Sequence, residues 1–174
     1  MSDDELTPEE AAAGFEDPEE ETSPEHMASG PTGAQASADP LCIVCTPNRA
    51  RRLGIAQILG ENGWKAVEAK SLQELIDTCK VMRPDVVLVD SDMGGSESRS
   101  IPEMVRDARP DDTRRVVALL GGTGATAVAS AVAEGYDDLI MDPDNQVELL
   151  ARTTSNLRAV RAMAEVRQQG ACQS

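Results

Sequence analysis

The sequence predicts an α/β domain built on a five-stranded parallel sheet of order 2-1-3-4-5, with helices on both faces. Three observations predict it. Apolar runs of strand length alternate five times with helix-patterned segments between residues 41 and 168, the pattern of strand–helix units joined by right-handed crossovers. The run Val86-Val-Leu-Val89 shows no in–out alternation, so both of its faces must be covered, as in a parallel sheet between helix layers. That run ends abruptly in Asp90-Ser-Asp-Met-Gly-Gly95. Ligands of open α/β sheets sit outside the carboxyl ends of the strands, so Asp90 stands where chemistry belongs.

Each element has its own signal. Leu41-Cys-Ile-Val-Cys45 is the first strand, and Pro47 and Asn48 open a helix over 48–59 that Gly60-Glu-Asn-Gly63 ends. A short strand follows over 65–68. Ser71, with Glu74 three residues on, forms a capping box for a helix that keeps Leu72, Leu75, Ile76 and Cys79 on one face and stops before Pro84. After the strand ending at Asp90 and the loop 91–98, a helix runs over 100–108 with Pro102 in its first turn. Residues 115–120 form the fourth strand. Gly121-Gly-Thr-Gly124 leads into an Ala-rich helix over 125–133, Gly135 ends it, and 137–141 is the fifth strand. The Gly-rich turn lacks the Gly-Lys-Ser/Thr ending of a phosphate-binding loop and is read as a plain turn. From Asp144 to about Gln168 one long helix is expected, with Val147, Leu150, Leu157, Val160 and Met163 as its apolar stripe.

The charge is lopsided. Residues 1–40 hold twelve carboxylates and no Lys or Arg, so of 31 acidic residues 19 remain for the body against all 16 basic ones, a net of −3 out of −15. A segment so acidic and poor in apolar residues does not offset its ordering entropy, so 1–40 is expected to be a disordered tail, with the lone His26 in it. Residues 41–155 are expected to form the domain, and 156–174 an extension of the last helix with a C-terminal tail. No basic patch is apparent, which argues against nucleic acid as a partner. No apolar run approaches a membrane span and no signal peptide is visible, so the expectation is a cytoplasmic protein without a membrane partner. Cys42 and Cys45 have metal-like spacing, but residues three apart on a strand face opposite sides, so both read as buried small hydrophobes. Cys79 falls on a helix; Cys172 is expected to be exposed.

Met82-Arg-Pro-Asp-Val-Val-Leu-Val-Asp90, with Met93 three residues later, resembles the third strand of a response-regulator receiver domain, with Asp90 at the phosphoacceptor position. Gly63-Trp-Lys-Ala-Val-Glu-Ala69 and Gln73-Glu-Leu-Ile76 resemble the receiver lead into the second helix. Gly135-Tyr-Asp-Asp138 and Pro143 resemble the entry to, and exit from, the fifth strand. The resemblance covers about 41–155 and implies a flavodoxin-like (CheY-like) fold.

It also implies a site, and here the chain departs from the family. Phosphoryl transfer to a carboxylate needs a cation held by further carboxylates and a Lys for the phosphoryl oxygens. The acidic-pair positions of receivers correspond to Cys45 and Thr46, or with a one-residue shift to Thr46 and Pro47. The Lys position is Asp142. Two carboxylates about 4 Å apart repel by roughly 1 kcal/mol in water and about 4 at an intermediate dielectric, so Asp142 would oppose an acyl phosphate. The hydroxyl switch position is Leu120, with Thr123 nearby, and the aromatic switch position is Leu139, with Tyr136 outside it. Asp90, Asp92 and Asp142 are the carboxylates open to a cation, but no metal and no cofactor is expected. As a plain structural residue, Asp90 would accept N–H groups of the loop that follows.

The expected function is therefore a receiver-like signalling module, not an enzyme: a pseudo-receiver that docks on a protein partner without phosphorylation. The resemblance implies docking through the fourth helix, fifth strand and fifth helix (124–133, 137–141 and 144–168), including pairing with a second copy. With no output domain following, the signal would leave by binding, and Leu157, if exposed, would be the residue to test. The alternative is a phosphorylatable single-domain response regulator that takes a phosphoryl group at Asp90 from a histidine kinase, with Mg²⁺ as cofactor. A third reading, small-molecule binding at the strand ends, has no specific residue in its favour.

Overall fold

A computed structural model describes residues 38–95, 98–122 and 124–171. The acidic segment up to residue 37, with its expected disorder and His26, lies outside the described residues, as do Ser96, Glu97, Thr123 and Cys172. The elements run β1 (Leu41–Cys45), α1 (Arg49–Glu61), β2 (Lys65–Ala69), α2 (Leu72–Val81), β3 (Val86–Asp90), a 3₁₀ turn (Ser91–Met93), α3 (Ile101–Asp107), β4 (Arg115–Leu119), α4 (Ala125–Glu134), β5 (Asp138–Ile140) and α5 (Gln146–Ala171). The strands form one parallel sheet in the order β2-β1-β3-β4-β5, as the sequence predicts.

Strand alternation divides the core in two. Cys42, Val44, Val86, Leu88, Val117 and Leu119 point to one face, where Ile55 and Leu59 of α1 and Leu149 and Leu157 of α5 cover them. Ile43, Cys45, Val87, Val89 and Val116 point to the other, under Leu75 and Cys79 of α2 and Ile101 and Val105 of α3. All five residues of β3 are buried, the physical reason for its unbroken apolar run. Cys42 and Cys45 lie in opposite layers, so the strand keeps the two thiols apart.

Three details differ from the sequence-based expectation. Ser71 caps α2 by accepting the N–H of Glu74 (3.3 Å), but the Glu74 carboxylate takes the N–H of Lys70 (2.9 Å), so the expected reciprocal box is open on one side. The closed box is at α3, where Ser100 accepts from Glu103 N and Glu103 accepts from Ser100 N, with Pro102 in the first turn. Ser100 and Glu103 have the same three-residue spacing in the sequence as Ser71 and Glu74.

The third difference is the buried stripe of α5, which is Leu149, Thr153, Asn156, Leu157 and Val160. Val147 is 78 % exposed and Met163 is exposed as well. Asn145 fixes the phase by accepting the N–H groups of Val147 and Glu148. Thr153 and Asn156 occupy core positions because their polar atoms are satisfied: Thr153 Oγ1 donates to Leu149 O (2.6 Å), and Asn156 bonds the Asp138 carboxylate and Arg115. An apolar count omits such residues. Leu157 is buried in the core, so it is not a docking probe.

Candidate functional site

Asp90 ends β3 at the carboxyl edge of the sheet, only 6 % exposed. Gly94 and Gly95 let the chain turn away after it: Gly94 has φ +64°, and a Cβ on Gly95 would collide with the carbonyl of Arg99. Every oxygen of the Asp90 carboxylate is engaged. Oδ1 accepts the N–H of Asp92 (3.1 Å), as expected of a satisfied carboxylate. Oδ2 accepts the hydroxyl of Thr46 (2.9 Å), and Arg51 Nη1 lies 3.8 Å from the same oxygen. Thr46, fully buried, also accepts the N–H of Asn48 (3.2 Å), which fixes its hydroxyl to donate toward Asp90.

Thr46 was foreseen only as a missing carboxylate; Arg51 was not foreseen. A signal was present. The first turn of α1 holds no acidic residue but carries Arg49, Arg51 and Arg52, cations where the helix dipole disfavours them by about 0.3–1 kcal/mol each. Cations there call for partners, and Arg51 and Arg52 have them. Arg51 Nη2 lies 3.5 Å from Asp144, and Arg52 pairs with Glu68 (3.1 Å) while donating to the carbonyl of Thr46 (2.6 Å).

The other family positions turn away from chemistry. The Cys45 thiol packs under α2, donating to Ser71 O (3.6 Å) and touching Met93 Sδ (3.4 Å). Burial, reinforced by the Glu74 carboxylate, pushes its pKa up to about 12; burial pushes the Cys42 thiol up as well. Native protein is therefore expected to leave Cys42, Cys45 and Cys79 unlabelled by a thiol reagent at neutral pH, with labelling only on denaturation. Rapid native labelling at Cys45, read by peptide mass mapping, would contradict this packing.

Leu120 is buried in an apolar cluster with Ala118 and Ala131, against Val128, Leu139 and Met141. Tyr136 inserts between that cluster and the α2–α3 layer. Its hydroxyl is buried without a hydrogen-bond partner among the described residues, and burial, then the carboxylates of Glu134 and Asp90, raise its pKa. An aromatic thus fills the switch region from a position other than the one the resemblance implies.

Asp142 is exposed. Its N–H donates to Glu148 Oε2 (3.3 Å), so the turn before α5 is organised around carboxylates rather than a Lys. Asp92 Oδ2 lies by Gly121, 3.3 Å from where a Cβ would stand. Among the described residues no three His, Cys, Asp or Glu side chains gather as metal ligands, so Asp90, Asp92 and Asp142 are not brought together. Mg²⁺ demands near-octahedral oxygen ligands, whereas here Cys45 supplies sulfur in the core and Thr46 donates its proton to Asp90. Neither position supplies the second carboxylate that the receiver resemblance implies beside Asp90.

Away from this edge, Lys65, Arg83 and Arg161 line a cleft at the opposite end of the sheet, balanced in part by Asp39 and Asp85. No helix among the described residues is long and apolar enough to cross a membrane.

No protein-family model matches the chain, and no curated protein matches it. Solved structures do. A CheY-like response regulator receiver domain protein from Methanospirillum hungatei matches with TM-score 0.62 at 18 % identity, over 71 % of this chain and 98 % of that one. A response regulator from Thermotoga maritima matches with TM-score 0.59 at 25 % identity, over 68 % and 98 %. A response regulator from Burkholderia pseudomallei with a phosphorylated aspartic acid, a calcium ion and citrate matches with TM-score 0.55 at 22 % identity, over 74 % and 75 %. With the strand order and helix layers above, the chain has the CheY-like fold of response-regulator receiver domains.

Proposed function

We propose that this chain is a receiver-fold signalling module that works by binding a protein partner, with its conformation not set by phosphorylation at Asp90. The observation that carries the reading is the engaged Asp90 carboxylate, with Thr46 and Arg51 on one oxygen and the Asp92 amide on the other. An acyl phosphate there would have to form without a second carboxylate for a metal and opposite a turn rich in Asp and Glu.

The docking surface we assign is the α4–β5–α5 face. Ala125, Ala129 and Val132 fall at i, i+4 and i+7 on α4, all exposed, and no charged residue precedes Glu134 on that helix. A helix that leaves its uncharged side in water is better suited to a partner than to solvent. Both a second copy and a different protein fit this face.

The test is affinity capture with the full chain as bait, beside size-exclusion chromatography with light scattering to read self-association. Val132 is 64 % exposed, so Val132→Arg should change stability by no more than about 0.5 kcal/mol while weakening association roughly tenfold or more. Asp90→Asn should keep the association. Binding that survives Val132→Arg and is lost in Asp90→Asn would instead favour a histidine-kinase-fed response regulator using Mg²⁺.

A further inference from the structure

We infer that the guanidinium of Arg51 is the resident cation of the Asp90 site, doing the charge-neutralising work of a divalent ion and excluding one. The inference deepens the phosphorylation-independent reading and rests on it for the statement that no acyl phosphate forms at Asp90.

Charge compensation comes first. Asp90 is a nearly buried carboxylate, and a buried charge without a partner is costly enough to be rare. The described groups that offset it are the Thr46 hydroxyl, the Asp92 amide and Arg51, of which only Arg51 carries charge. Position follows. Arg51 rises from the first turn of α1, just after the turn that carries Thr46, and reaches the same Asp90 oxygen that the Thr46 hydroxyl bonds. It also reaches the turn before α5, with Nη2 3.5 Å from Asp144. One planar group thereby spans two carboxylates on different elements, as a bridging cation would.

The helix end adds a further constraint. Arg51 sits where the α1 dipole repels positive charge and where no acidic side chain of the same turn compensates. Its side chain is only 22 % exposed, with Nε buried and unpartnered among the described residues. A cation held at such a place is retained by the carboxylates it faces. A divalent ion approaching Asp90 would meet the guanidinium within about 4 Å, a like-charge contact worth an order of magnitude or more in affinity.

The experiment uses Mn²⁺ as the probe, titrated into the full chain and followed by the electron paramagnetic resonance signal of free Mn²⁺. Wild type and Arg51→Lys, which keeps the charge, are expected to leave that signal unchanged. Arg51→Ala is expected to bind one Mn²⁺ roughly tenfold or more tightly than wild type, and the gain should vanish in Arg51→Ala/Asp90→Asn. If Arg51→Ala fails to fold by circular dichroism, Arg51→Gln keeps the stem and serves in its place. Mn²⁺ binding by wild type that Asp90→Asn removes would overturn the inference. So would a folded, charge-removed variant as indifferent to Mn²⁺ as wild type. A phosphate-sized mass gain on wild type would overturn the phosphorylation-independent reading instead, a separate readout from the Mn²⁺ signal.

Discussion

Leu157→Glu is expected to unfold the domain, while Val147→Glu, ten residues earlier on the same helix, leaves it intact. Leu157 is 8 % exposed and packs with Leu149 of α5 on β-sheet residues including Val117 and Leu119. The substitution removes that packing and places a carboxylate in an apolar layer with no partner, a combination that costs about 4 kcal/mol or more. At the low end of a typical domain stability of about 5–15 kcal/mol, this is most of the margin. Val147 sits in the exposed first turn of α5, where a carboxylate meets the favourable end of the helix dipole. Its replacement should stay within about 0.5 kcal/mol of wild type. Urea denaturation of the two variants decides the matter, and equal effects would mean that the helix packs in the phase that apolar spacing alone suggests.

Leu120→Thr, which restores a hydroxyl at the family's switch position, is expected to cost about 2–4 kcal/mol rather than to create a switch. Leu120 directly follows β4 and packs among Ala118, Ala131, Val128, Leu139 and Met141. A threonine there leaves a void where the leucine methyls were and brings a hydroxyl into an apolar cluster. Tyr136 already has its own hydroxyl buried there without a partner among the described residues, so the cluster has little polar capacity to spare. Denaturant midpoints would measure the loss. A neutral or stabilising result would mean that this region holds an unrecognised polar partner.

The fold was legible because its signals are redundant. The unbroken run of β3, the Gly and Pro punctuation and the five-fold alternation each point to the same parallel sheet, and the order 2-1-3-4-5 is the one doubly wound arrangement that the receiver resemblance implies. At the site, the family resemblance singles out Cys45, Thr46, Leu120 and Asp142 as positions whose residues differ from the receiver pattern. What took their place was not legible, because it depends on side-chain partners from separate elements. Thr46 meets Asp90 across 44 residues of chain, and Arg51 bridges to Asp144 from the far side of the sheet order. Polar core residues were hidden for a similar reason. Asn156 counts as hydrophilic until Asp138 and Arg115 are found beside it, and Tyr136 counts as an off-position aromatic until its ring is seen between two clusters.

The central claim is that Asp90 is held by its own neighbours and does not take a phosphoryl group. Intact mass spectrometry after incubation with acetyl phosphate and Mg²⁺, with Asp90→Asn alongside, tests it most directly. The account predicts no phosphate-sized mass gain in either protein. A gain in wild type that disappears in Asp90→Asn would contradict it, and would make this chain a working response regulator with an unconventional cation at its active aspartate.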